Sequence, residues 1–69
     1  MDTNMTTCET IGGKIRLRRI ELGLIQQEVA DLSGVGLNTL VALEWGRGNP
    51  SLKTLLAILE TLGLELDDY

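Results

Sequence analysis

Apolar residues recur along this chain at helical intervals, in four short runs separated by glycine-containing breaks. Ile11, Ile15 and Leu22 stand at i, i+4 and i+11, which aligns them on one face of a helix over 11–22. Thr10 can cap its start, Gly12 and Gly13 weaken its first turn, and Gly23 stops it with a residue free to turn left-handed. Leu17 and Ile20 project from the opposite side at i, i+3, either as scattered exposed apolar groups or as an edge that meets a partner. Residues 25–32, IQQEVADL, predict a second short helix with Val29, Ala30 and Leu32 facing inward. Ser33-Gly34-Val35-Gly36 reads as a turn, and a third helix follows to Trp45 with Leu40 and Leu43 on its buried face. After the loop Gly46-Arg47-Gly48-Asn49-Pro50, Ser51 is placed to cap a fourth helix. Its stripe is Leu52, Leu55, Leu56, Leu59 and Leu62, and Gly63 ends it. Leu64 to Tyr69 alternates apolar and acidic residues at period two, the signal of a short strand. The pattern predicts an all-α bundle of four to five helices with a short C-terminal strand. Residues 1–9 are expected to form a flexible N-terminal tail, 10–63 the domain, and 64–69 a dimerisation strand or tail.

Composition narrows the class. Of 69 residues, 43% are hydrophobic and 23% charged, which suits one globular domain and not a disordered tail. A core this small makes dimerisation or a partner a natural expectation. No apolar run reaches the ~18–20 residues that span a bilayer, and MDTNMTTCET lacks the charge and apolar run of a secretory signal. The lone Cys8 excludes an intramolecular disulfide and fits a reducing cytoplasm. Without histidine there is no Cys/His zinc site and no His-dependent acid–base scheme. Cys8 has no base beside it, and no Gly-rich phosphate loop is present. An enzyme, a metal and a cofactor are therefore not expected.

The net charge of −4 argues against a nucleic-acid partner until its distribution is considered. All six basic residues, Lys14, Arg16, Arg18, Arg19, Arg47 and Lys53, fall within 12–64, against five acids there. Asp2, Glu9, Glu65, Asp67 and Asp68 place the remaining acidity at the two ends. A near-neutral body with a local basic cluster can bind DNA with a modest electrostatic pull.

Two short helices joined by a tight glycine turn describe a helix-turn-helix. Residues 11–63 resemble the lambda-repressor/Cro-like helix-turn-helix (XRE) family. The matching residues are Ile15 and Arg19, Gly23-Leu24 before Gln26-Gln27-Glu28-Val29-Ala30, and Gly34-Val35 in the turn. They continue with Leu40, Glu44 and Gly46, then Asn49-Pro50-Ser51 before Leu52, Leu55 and Leu56, in the family's order and spacing.

The resemblance implies that the third helix, beginning at Gly36, lies in the major groove with its N-terminal residues at base edges. Leu37, Asn38, Val41 and Ala42 are the positions expected to be exposed there. Asn38 carries an amide able to read adenine in a bidentate way, or is simply solvated; Leu37 can meet only apolar surface such as a thymine methyl. Thr39 offers a hydroxyl to backbone or base. Relatives place a Gln at position 26 that bonds a phosphate and braces the reading helix; the plainer alternative is an exposed helix start. Gln27, beside it, joins the expected DNA-facing set. Arg47, Asn49 and Lys53 flank the third and fourth helices as phosphate anchors, while Lys14, Arg16 and Arg18 either share that task or form a solvated basic face. The resemblance also implies a structural ion pair between Arg19 and Glu44. Trp45 is expected to cover the core edge, with a DNA or partner contact as the alternative.

Two departures stand out. Ile25 occupies the place where relatives carry a capping Ser or Thr, and the exposed face of the third helix is largely apolar. The stretch 58–66, with its Gly-Leu-Glu-Leu, resembles the end of HipB-type antitoxins, in which a short strand pairs with its twin; Leu64 and Leu66 would then close a homodimer. The resemblance thus implies a cytoplasmic homodimeric repressor on a palindromic double-stranded operator. Its specific version is either an autoregulating antitoxin with a kinase-like toxin partner or a phage- or plasmid-type regulator. The alternative is a protein-interaction module of the same fold that has lost specific DNA reading.

Overall fold

The computed structural model describes residues 8–64, which form four helices: α1 (Cys8–Glu21), α2 (Gln26–Ser33), α3 (Leu37–Glu44) and α4 (Leu52–Leu62). There is no strand among the described residues, and 65–69, including Leu66, lie outside them. The fold is all-α, as the hydrophobic pattern predicts. α1 and α2 each pack against both α3 and α4.

The core draws on every helix: Ile15 from α1, Val29 and Ala30 from α2, Leu40 and Leu43 from α3, and Ile58, Leu59 and Leu62 from α4. Ile11, Leu24, Val35, Leu55 and Leu64 pack around it. Each fully buried aliphatic side chain of Val or Leu size stabilises the fold by roughly 1.5–3 kcal/mol relative to leaving it in water. Four leucines expected inside are exposed instead: Leu22, Leu32, Leu52 and Leu56. The cause is geometric. The buried face of α2 centres on Val29 and Ala30, and at about 100° per residue Leu32 falls beyond its edge. On α4 the buried stripe runs through Leu55, Ile58, Leu59 and Leu62; Leu56 points to its side and Leu52 sits in the first turn, ahead of the packed region. Leu22 lies just past the end of α1.

α1 begins at Cys8, so Thr10 is a helical residue and not the cap. Gly12, which weakens the first turn in isolation, has a tertiary purpose: α1 crosses α3 with its backbone on the Leu43 carbonyl. A Cβ at position 12 would collide with that oxygen and stand 3.0 Å from the carbonyl carbon. Gly13 faces open space. The remaining helix ends follow the residues. The Ser51 Oγ accepts from the Thr54 N–H at 3.1 Å, and Gly63 closes α4 in the left-handed region at φ 71°. Arg18 Nε donates to the Leu62 carbonyl at 3.0 Å, placing a cation at the C-terminus of α4. That contact ties Arg18 to the bundle, although its side chain stays 39% exposed.

Candidate nucleic-acid interface

The junction from α2 to α3 is built around Gly34, whose φ of 74° turns the chain sharply. Val35 then donates its N–H to the Ala30 carbonyl at 3.0 Å and packs on the core, pinning the turn to the bundle. Gly36, extended at φ −70° and ψ 145°, launches α3. At the start of α2, Ile25 has no side-chain acceptor. The Glu28 carboxylate takes over part of the capping by accepting from the Ile25 N–H at 2.9 Å, the backbone half of a capping box.

A buried polar brace fixes the far end of α3. Arg19 donates through Nε to Glu44 Oε2 at 2.7 Å and through Nη2 to Glu44 Oε1 at 3.0 Å. Its Nη1 reaches the Leu24 carbonyl at 2.9 Å, so the guanidinium also holds the chain leading into α2. The Glu44 side chain is 1% exposed and that of Arg19 13%. The hydrogen bond to Glu44 raises the Arg19 pKa above its ordinary value; burial opposes this, and charge attraction adds to it. Gln26 Nε2 donates to Glu44 Oε1 at 3.1 Å. α1, α2 and α3 thus meet at one carboxylate.

The outward side of α3 lies opposite Leu40, Leu43 and Glu44. Helical geometry places Asn38, Ala42 and Trp45 along it at i, i+4 and i+7. Leu37, Asn38 and Thr39, in the first turn, are exposed. Val41 and Ala42 are half-buried, less open than the sequence suggests. For Ala42 the reason is the 46–50 loop, which folds back so that Arg47 donates its N–H to the Ala42 carbonyl at 2.8 Å. Trp45 is 70% exposed and does not cover the core edge.

An open depression of about 380 Å³ lies between α3 and this loop, lined by Asn38, Thr39, Ala42, Arg47, Asn49 and Thr54 among others. It unites five expected DNA-facing residues and adds Thr54. Gln26, Gln27, Gly36, Leu37, Val41 and Lys53 lie outside it. Gln27 is exposed and donates to Asp31 Oδ1 at 2.8 Å along its own helix, and Lys53 is exposed in the first turn of α4. Thr54 gave no sequence signal, because only the return of α4 brings it beside α3. Trp45, for which the sequence left a DNA or partner contact as the alternative, stands at i+7 from Asn38. Leu64, expected at a dimer strand, is half-buried against its own core, with its N–H donated to the Leu59 carbonyl at 2.9 Å.

A helix-turn-helix family model matches residues 15–69. The chain belongs to the Cro/C1-type (XRE) helix-turn-helix family. It is 37% identical over 67 residues to the uncharacterized HTH-type transcriptional regulator y4mF of Sinorhizobium fredii, covering 97% of this chain and 88% of that one. It is 42% identical over 53 residues to the cryptic phage CTXphi transcriptional repressor RstR of Vibrio cholerae, spanning 77% of this chain and 48% of RstR. Among solved structures, the restriction-modification controller protein C.AhdI of Aeromonas hydrophila matches with a TM-score of 0.78 at 31% identity, covering 84% of this chain and 88% of that one. As a member of this family the protein is a transcriptional regulator built on a DNA-binding fold. No helix among its described residues is long and apolar enough to cross a membrane.

Proposed function

We propose that the protein is a repressor that binds a palindromic operator as a homodimer, with α3 in the major groove. The observation that carries this reading is the exposed first turn of α3, where Asn38 and Thr39 share one depression with Arg47 and Asn49. Asn38 can take a bidentate hold on adenine N6 and N7, while Arg47 meets phosphate beside it. Thr39 and Asn49 add polar contacts at the groove edge, and Lys53 and Gln27 approach the backbone from the flanks. Gln26 holds α2 to α3 through Glu44 and so sets the angle of the reading helix. Leu37, Val41 and Ala42 supply its apolar contacts, with Gly36 giving close backbone approach. The similarity to RstR, a transcriptional repressor, supports the repressor reading.

Two reading helices related by a two-fold axis meet half-sites one turn of DNA apart, roughly 34–36 Å. For the pairing surface we favour the C-terminal end of α4. There Leu56, Glu60, Gly63 and Leu64 line a shallow hollow of about 550 Å³. A toxin-neutralising version would add a protein partner at the same end of the bundle. The reading is tested by selecting bound sequences from a random duplex pool and measuring gel shifts on the enriched site. A palindrome bound by two copies is expected; a failure to enrich any sequence favours the protein-interaction alternative.

A further inference from the structure

α1 carries a second face whose composition the bundle does not explain. At about 100° per residue, Gly13, Leu17 and Ile20 fall within about 60° of one another, on the side of the helix opposite Ile11 and Ile15. Leu17 is 59% exposed and Ile20 50%. A Cβ at Gly13 would meet nothing within 4 Å, although alanine is the better helix former there. Unlike Gly12, Gly13 is therefore not required by packing among the described residues. Charges border the stripe, with Lys14 and Glu21 along one edge and Arg16 along the other. The Glu21 side chain stays 55% exposed in a 3.6 Å pair with Arg18 of its own helix, so its carboxylate can accept from a further cation.

We infer that this stripe is a contact surface for a second copy of the chain, with two α1 helices packed antiparallel across a two-fold axis. The stripe is self-complementary in that sense. A two-fold perpendicular to both helices, midway between positions 17 and 18, sets Lys14 of each copy opposite Glu21 of the other along one shared edge. Parallel helices would set like charges against each other instead. The same axis brings Leu17 against its twin, and Ile20 of each copy enters between Gly13 and Leu17 of the other, where the missing Cβ leaves room. Arg16 lies on the far edge, exposed and long enough to turn to water. So few residues bury far less than the ~1,200 Å² of a standard interface, and the contact is weak on its own. It is separate from the α4 hollow; that it joins dimers in pairs is the one step that rests on the homodimer reading above.

The test is disulfide cross-linking of the full chain in a Cys8→Ser background under mild oxidation. Leu17→Cys is expected to cross-link at least about tenfold faster than Asp31→Cys, an exposed site on α2, because pairing raises the effective concentration of the two thiols. Lys14→Glu or Glu21→Lys alone should slow the reaction at position 17 by about threefold or more, and the two together should restore it by recreating both ion pairs. Positions 14, 17, 21 and 31 are all exposed, so the helical circular dichroism should not change. Equal rates at 17 and 31, or a double reversal no faster than the single ones, overturn the inference. The reaction at 17 should persist with Leu56→Glu; its loss there would overturn a surface separate from α4. Failure of the homodimer reading shows instead in sedimentation of Leu56→Glu alone.

Discussion

Arg19 and Glu44 join the ends of α1 and α3 through two parallel hydrogen bonds, 2.7 and 3.0 Å long, with the carboxylate almost wholly removed from water. The pair is more than a link between two helices. Gln26 donates to the same carboxylate, and Arg19 also reaches the Leu24 carbonyl. The orientation of α3 therefore depends on a carboxylate that is almost wholly buried. Breaking such a pair by removing one partner costs more than replacing both, because the survivor is left buried and uncompensated.

Glu44→Ala is accordingly expected to destabilise the domain by roughly 3–5 kcal/mol, while an Arg19→Met, Glu44→Leu double variant loses much less. Urea unfolding monitored by circular dichroism measures both. The raised Arg19 pKa adds a sign. Its contribution is complete below the ordinary arginine value and is lost only as pH climbs through the still higher folded value. The coupling energy from a double-mutant cycle should therefore be the same at pH 7 and pH 9.

Gly12 and Gly13 should respond to alanine with opposite signs. Position 12 has the Leu43 carbonyl in the way, so Gly12→Ala is expected to cost about 1–3 kcal/mol despite the better helix propensity. Position 13 is open, and Gly13→Ala should stabilise by up to about 1 kcal/mol. Thermal or urea unfolding of the two variants decides this; equal shifts would mean that α1 does not cross α3 at Gly12.

On the operator, Asn38→Ala should weaken binding by about 1–3 kcal/mol and relax selectivity at one base position. Arg47→Ala should weaken all duplexes alike and reduce the salt slope by about one, the signature of a single phosphate contact. Titrations at several salt concentrations, on the enriched site and on a scrambled one, separate the two behaviours. An Asn38→Ala variant with full operator affinity would contradict the placement of α3.

Leu56 is 45% exposed on the hollow proposed for pairing. Leu56→Glu should convert dimer to monomer in sedimentation equilibrium and weaken operator binding at least about tenfold, because a second linked head adds effective concentration. The helical circular dichroism should persist, since Leu56 is not among the buried core residues. A variant that still dimerises at micromolar concentration would move the interface elsewhere, with exposed Leu17 and Ile20 on α1 the next surface to test.

Periodicity along the chain was enough to determine the four helices, their glycine stops at Gly23 and Gly63, the Ser51 cap and the inward positions Ile15, Val29, Ala30, Leu40, Leu43, Leu59 and Leu62. These depend on local backbone preference and on spacing within one helix, which neighbouring residues settle among themselves. The family spacing likewise located Arg19 and Glu44. Which leucines stay outside, why Gly12 must lack a side chain, and how Thr54 comes beside Asn38 depend on the angles at which helices cross. So does the hydrogen bond from Arg18 to the end of α4. Those angles are set by packing between elements distant in sequence, and a one-dimensional pattern does not contain them. Trp45 marks the boundary: its place on the outward face follows from helical spacing to Asn38, but its 70% exposure was decided by how the helices of the bundle pack around the end of α3.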